Sequence, residues 1–131
     1  MNVILDTHAA IWFVTDDKKL PRFSKRIIED TENRCFVSIA TLWEMGIKYS
    51  LGKLELKVEL KKIFEIFFES GFLLLHISPN HVLTNTALPY HHRDPFDRLI
   101  IAQAKKEEYI IISKDNEFNN YDVNLMWDNA D

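Results

Sequence analysis

One cysteine, three glycines and four prolines are all that this chain of 131 residues holds of those types. A lone Cys35 excludes an internal disulfide, and with it the disulfide-dense secreted scaffolds. It stands in the run Cys35-Phe36-Val37, where a thiol serves as a small buried hydrophobe. The scarcity of glycine excludes a phosphate-cradling loop, because Gly46, Gly52 and Gly71 are scattered. None of them falls in the first strand–helix turn, where a dinucleotide binder needs close backbone approach. No apolar run approaches ~20 residues, and the N-terminus offers neither a basic n-region nor a long h-region. No membrane span and no signal peptide are expected, hence a soluble cytoplasmic protein. Strong charge of one sign is missing too. Sixteen Lys and Arg against 20 Asp and Glu give a net charge of -4, which leaves no bulk positive charge to hold nucleic acid. It does leave room for acids gathered in one site with bases around them.

What is present is the composition of a globular domain: 47% apolar and 27% charged residues, too apolar for disorder. The length predicts a single domain over 1–131, burying roughly two-thirds of its unfolded surface. Strand and helix patterns alternate. Strands are predicted at 2–5, 35–37, 72–77, 109–112 and 123–127. Helices are predicted at 7–14, 24–31, 39–49, 58–69 and 96–108, with a short one opened by Ser78-Pro79 as N-cap and N1. Ser38 is placed to cap the third helix, and Gly52 and Gly71 to stop two others. In the helix at 58–69, Leu60, Ile63, Phe64 and Phe67 follow helical spacing, while Ile66 and Phe68 widen the apolar stripe. That extra width suggests a surface for self-association or a partner helix. Such alternation implies an α/β fold in three layers, a central mainly parallel sheet with helices on both faces.

Two strands run into an aspartate. Val3-Ile4-Leu5 leads to Asp6-Thr7, and the strand at 109–112 leads to Ser113-Lys114-Asp115. Ligands of open α/β sheets sit outside the carboxyl ends of the strands, so these two acids would face one cleft. Carboxylates that close repel unless a cation or shared proton relieves them. Glu44 shares a helical stripe with Ala40 and Ile47 near the same edge. Burying it needs a charged partner, and Lys48 one turn on is the simplest. Asp94-Pro95-Phe96-Asp97 reads as N-cap, N1 proline and N3 acid, and the first-turn Asp97 can also point out of the helix end.

The chain resembles the PIN-domain ribonucleases and, within them, the VapC-type toxins of toxin–antitoxin pairs. The resemblance is carried by Leu5-Asp6-Thr7-His8, by Val37-Ser38 with Leu42-Trp43-Glu44, by the run from His92-Arg93-Asp94-Pro95-Phe96-Asp97 to Ala104, and by Ser113-Lys114-Asp115. It implies that Asp6, Glu44, Asp97 and Asp115 form an acidic quartet around Mg²⁺ or Mn²⁺, with Thr7 and Ser113 as supporting hydroxyls. Related chains often carry Arg where this one has Lys114. It also implies endonucleolytic cleavage of RNA leaving a 5′-phosphate, an inhibitory antitoxin partner and a homodimer.

Four carboxylates without thiolates or paired imidazoles suit Mg²⁺ or Mn²⁺ and not Zn²⁺. Arg93, Arg98, Lys48 and Lys114 lie near the acids in sequence as candidate substrate contacts. The histidines carry less: adjacent His91 and His92 point to opposite sides of an extended segment, and His8 reads as helix surface. Trp12, Trp43 and Trp127 read as core. A haloacid-dehalogenase-type phosphatase would need an acid where His8 stands. A response-regulator receiver would need one where the third strand leads to Ser78-Pro79. The remaining alternative is a catalytically silent PIN-fold module that binds RNA or protein.

Overall fold

The computed structural model describes residues 1–128. Five strands form one sheet: β1 (Asn2–Leu5), β2 (Arg34–Ser38), β3 (Leu73–Leu75), β4 (Ile110–Ile112) and β5 (Leu125–Met126). Their order is β3-β2-β1-β4-β5, and every neighbouring pair is parallel. Six α-helices connect or flank them: α1 (Thr7–Val14), α2 (Arg22–Glu29), α3 (Ile39–Ser50), α4 (Leu60–Glu69), α5 (Pro79–Ala87) and α6 (Pro95–Glu107). A short 3₁₀ turn, Asn116–Asn120, follows β4.

The inner strands are apolar on both faces because both are covered. Val3, Leu5, Cys35, Val37 and Ile112 join Ala9, Ala10, Ile27, Ile28, Ile63 and Phe67 in one core, under α1, α2 and α4. The alternate residues Ile4, Phe36 and Ile111 join Ile100, Ile101 and Ala104 of α6 in the second. This period-two alternation divides the protein into three layers. Phe67 and Phe118 are fully buried, one in each core, and each stabilises the fold by about 1.5–3 kcal/mol.

The chain steps from β1 outward to β2 and β3, then returns to the other side of β1 for β4 and β5. The direction of winding therefore reverses between β1 and β4. Ligand crevices of open sheets lie at such a reversal, beyond the carboxyl ends of the strands. Asp6 follows β1 and Asp115 comes three residues after β4.

Helix ends follow local chemistry. Ser38 caps α3 by accepting from the Ala40 N–H, and Ser78 opens α5 in a reciprocal capping box with His81. Gly52 (φ +70°) and Gly71 (φ +93°) take the left-handed conformation just beyond α3 and α4, at little cost without a Cβ. Two helices differ in their starts from the sequence pattern. α2 begins at Arg22, where Pro21 supplies an extended N-cap (ψ 152°), and α4 begins at Leu60 behind an extended Glu59 (ψ 151°). β3 and β5 are shorter than predicted because each is an edge strand with one ladder partner.

Trp12 and Trp127 pack against the first core from its edge, whereas Trp43 is not a core residue. Trp43 is 59% exposed and packs edge-on against Phe96, while Trp12 and Trp127 are half-buried and lean on each other. On α4 the widened stripe is real: Ile63 and Phe67 are buried, Ile66 is half-buried and Phe68 is exposed. Among the described residues no helix is long and apolar enough to cross a membrane.

Candidate active site

Three acids of the quartet are held by the start of a helix or turn. Asp6 is the N-cap of α1, and its Oδ1 accepts the Ala9 N–H at 2.8 Å. Asp97 lies in the first turn of α6, behind Asp94, whose Oδ1 accepts from the N–H groups of Phe96 and Asp97. Asp115 caps the 3₁₀ turn by accepting from the Glu117 N–H. Glu44 sits in the second turn of α3, buried at 6% exposure. Parallel strands deliver their following helices N-terminus first to one edge, so backbone N–H groups and positive dipole ends surround the acids.

Ser113 ties two of them together. Its Oγ donates to Asp6 Oδ2 at 2.5 Å and accepts the Asp115 N–H at 3.0 Å. Thr7 is buried, and its hydroxyl meets the Thr41 hydroxyl of α3 at 3.3 Å rather than an acid. It therefore joins α1 to the helix that carries Glu44.

The electrostatics show a site that lacks positive charge. Burial, and then the charges of Asp94 and Asp6, push the Asp97 carboxyl up to about 7; Glu44 adds to the rise and His92 opposes it. Burial also raises the Asp6 carboxyl above the usual range, against hydrogen bonds from Ser113 and Ala9. One Glu44 oxygen, Oε2, is 2.8 Å from Lys48 Nζ; the other, Oε1, is buried with no hydrogen-bond partner. A buried carboxylate oxygen left unpaired is costly, and a hard cation at this cluster would relieve both strains. The carboxylate donor set fits Mg²⁺ or Mn²⁺.

His92 is the site residue that sequence reasoning passed over. Its side chain is 11% exposed, and its Nε2 lies 3.2 Å from Asp97 Oδ2, 3.1 Å from Asp115 Oδ2 and 3.6 Å from Glu117 Oε2. Its Nδ1 accepts the Asp94 N–H at 3.2 Å, which places the ring proton on Nε2, facing the acids. His92, Asp115 and Glu117 lie close enough to share one ion, but with its Nε2 proton turned to the acids the imidazole occupies oxygens that a cation would use. The adjacent His91 is exposed and packs on Tyr121 instead. Only the loop conformation, invisible in residue spacing, selects His92.

The four candidate substrate cations part company. Arg98 is buried, and its guanidinium donates to the carbonyls of Asn85, Leu88, Pro89 and His92 and to the Tyr121 hydroxyl. It braces the loop between α5 and α6, with both terminal nitrogens committed to protein oxygens. Lys48 is committed to Glu44. Lys114 and Arg93 are exposed and without an ion-pair partner among the described residues. Lys114 lines a cleft of about 500 Å³ together with Asp6, His8, Trp12 and Asp115. A second cavity of equal size, lined by Phe13, Ile28, Cys35 and Phe72, lies at the amino ends of the strands and contains none of the quartet.

The fold is a three-layer α/β arrangement with an acid-lined edge, and the sequence places it in a family. Residues 3–124 match the PIN domain, and the chain belongs to that family. PIN domains are generally nucleases. Solved structures of similar fold include VapBC2 from Rickettsia felis bound to a DNA fragment from its promoter, at 18% identity and a TM-score of 0.75 over 98% of this chain and 100% of that one. VapBC-1 from nontypeable Haemophilus influenzae is similar at 18% identity and a TM-score of 0.69, over 96% and 97% of the two chains. The PIN domain endonuclease Utp24 is similar at 15% identity and a TM-score of 0.51, over 90% and 74%. No curated protein matches the sequence.

Proposed function

We propose that this protein is a divalent-metal-dependent endoribonuclease and the toxin of a toxin–antitoxin pair, acting in the cytoplasm through one domain spanning 1–131. The observation that carries the reading is the gathering of four carboxylates at the winding reversal, with Asp97 pushed up to about 7 and Glu44 Oε1 buried without a partner. Such strain has a use where a cation and a phosphate meet.

Asp6 and Asp97 would be the principal metal ligands, and Glu44 and Asp115 would complete the set or position water. A bound Mg²⁺ or Mn²⁺ would supply Lewis acidity and neutralise phosphate oxygens during in-line displacement. The chain's own residues prepare that event. Ser113 fixes the carboxylate plane of Asp6 through its 2.5 Å bond, and Thr7 supports the site through Thr41. Lys114 and Arg93 offer charge to the RNA backbone, and the product keeps its 5′-phosphate. The likeness in fold to VapBC structures supports an antitoxin partner and a homodimer, with the exposed apolar edge of α4 as one surface for either.

The test is incubation of the purified protein, free of co-purified inhibitor, with total RNA at low salt in Mg²⁺, Mn²⁺ or EDTA. Discrete products that need metal and vanish in Asp97→Asn are expected. Metal-independent degradation that persists in the variant would sink the proposal. Absence of both cleavage and metal binding would instead favour a silent binding module.

A further inference from the structure

The cleft of about 500 Å³ beside the acids has two unlike walls. One comes from α1: His8 and Trp12 are one helical turn apart, so they share a face, with ring centroids 5.6 Å apart. The other comes from the segment after β4, which contributes Lys114, Asp115, Asn116 and Glu117. Asp6 lies at their junction. Trp12 is set from behind by Trp127 at 5.9 Å, and Lys19 Nζ stands 5.7 Å from its ring centre. A partly buried indole that packs on a second indole, has Lys19 beside it and still lines an open cleft does more than fill the core.

We infer that this cleft is a nucleobase subsite, in which a base of single-stranded RNA next to the cleaved phosphate stacks on Trp12 beside His8. The inference rests on the nuclease reading of the acids and names what the neighbouring surface recognises. The volume lies within the usual range for small-ligand pockets, about 300–1,000 Å³, and leaves room for a nucleoside. Aromatic faces take unpaired bases, whose stacking contributes roughly 1–3 kcal/mol each. Bases inside a duplex cannot reach such a wall. Lys114 is exposed at the rim, where the phosphate of the seated nucleotide would lie. Asn116 offers both a donor and an acceptor to a base edge. A net charge of -4 leaves little bulk attraction for RNA, so stacking supplies affinity that charge does not.

The test is a titration of the intact protein with a short single-stranded RNA of mixed sequence, in Ca²⁺, read by tryptophan fluorescence. The same RNA annealed as a duplex is the control, and cleavage is measured separately in Mn²⁺. Single-stranded RNA is expected to quench emission where duplex does not. Trp12→Leu is expected to weaken binding roughly 5- to 100-fold, and Trp12→Phe to retain most of it. In cleavage, the loss should fall on KM with kcat nearly kept. His8→Ala, on the exposed helix surface, tests the same wall should Trp12→Leu not fold. Unchanged binding and KM in both His8→Ala and Trp12→Leu, or equal affinity for duplex, would overturn the subsite while leaving a cleaving enzyme intact. Trp12-dependent binding without any cleavage would support the subsite and remove the nuclease reading instead. No binding of either RNA would overturn the subsite outright.

Discussion

His92 Nε2 stands 3.1 Å from Asp115 Oδ2 and 3.2 Å from Asp97 Oδ2, so one imidazole N–H faces two acids that arrive from different elements. It occupies the side of the cluster where a cation would draw on the same oxygens. His92→Ala leaves Asp97 and Asp115 facing each other without that proton. In EDTA the variant should melt lower than the parent, by on the order of 1 kcal/mol. The gain in Tm on adding Mn²⁺ should be larger than in the parent, because binding to the native state raises stability by mass action and no ring competes. A smaller gain would make His92 a ligand rather than a competitor. Differential scanning fluorimetry with and without Mn²⁺ decides between the two.

The raised carboxyl of Asp97 sets a pH dependence for the metal-free protein. Its value of about 7 compares with 3.8 for the free group, so between those limits the folded state holds a proton that the unfolded chain releases. Stability therefore falls as pH rises from about 4 to about 7 and levels off above it. Asp97→Asn removes this slope and should stabilise the metal-free protein at neutral pH by on the order of 1–3 kcal/mol, less a small loss at the helix N-terminus. The same variant should abolish cleavage. Melting in EDTA across this pH range tests the slope, and a flat profile in the parent would contradict it.

Ser113 acts on two acids at once, donating to Asp6 and receiving the Asp115 N–H. Ser113→Ala leaves a buried carboxylate oxygen and a backbone N–H short of a partner, at a cost of about 1–3 kcal/mol. Residues that orient metal ligands typically contribute 10- to 100-fold to affinity or activity. A drop of that size in Mn²⁺ affinity is expected, with Ser113→Thr partly restoring it. An unchanged Mn²⁺ affinity would limit Ser113 to packing.

Much of this was written in the residue order. Apolar runs covered on both faces pointed to a parallel sheet, but the order β3-β2-β1-β4-β5 depends on long-range pairing that the alternation leaves open. Asp6 and Asp115 were legible because each comes just past a strand, and Ser38, Ser78 and Asp94 because caps depend on neighbours two or three residues away. The opaque part depended on distant contacts. Nothing in Tyr90-His91-His92-Arg93 says which ring turns inward; that choice is made by Arg98 and Tyr121, which hold the backbone around it. For the same reason Arg98 looked like a surface cation, since a buried guanidinium is revealed only by the carbonyls it finds. Trp12 reads as core and does pack against it, but the pattern does not show that it also lines the cleft.

Arg98 links these features and yields the sharpest prediction about the loop. Its Nη1 meets the Pro89 carbonyl at 2.8 Å, its Nη2 the Asn85 carbonyl at 3.1 Å, and its Cζ lies 4.2 Å from the Tyr90 ring centre. The Tyr121 hydroxyl, within reach of the same guanidinium, accepts the His92 N–H at 2.8 Å. Arg98→Lys keeps the charge but not the planar fork that serves several carbonyls at once, so a loss of about 2–4 kcal/mol is expected. Tyr121→Phe is milder, removing one acceptor from the His92 N–H at roughly 1 kcal/mol while the ring stays packed. If the brace positions His92, Tyr121→Phe should reproduce the enlarged Mn²⁺ response of His92→Ala in a protein that remains well folded. A parent-like Mn²⁺ response in that variant would confine the network to holding the loop.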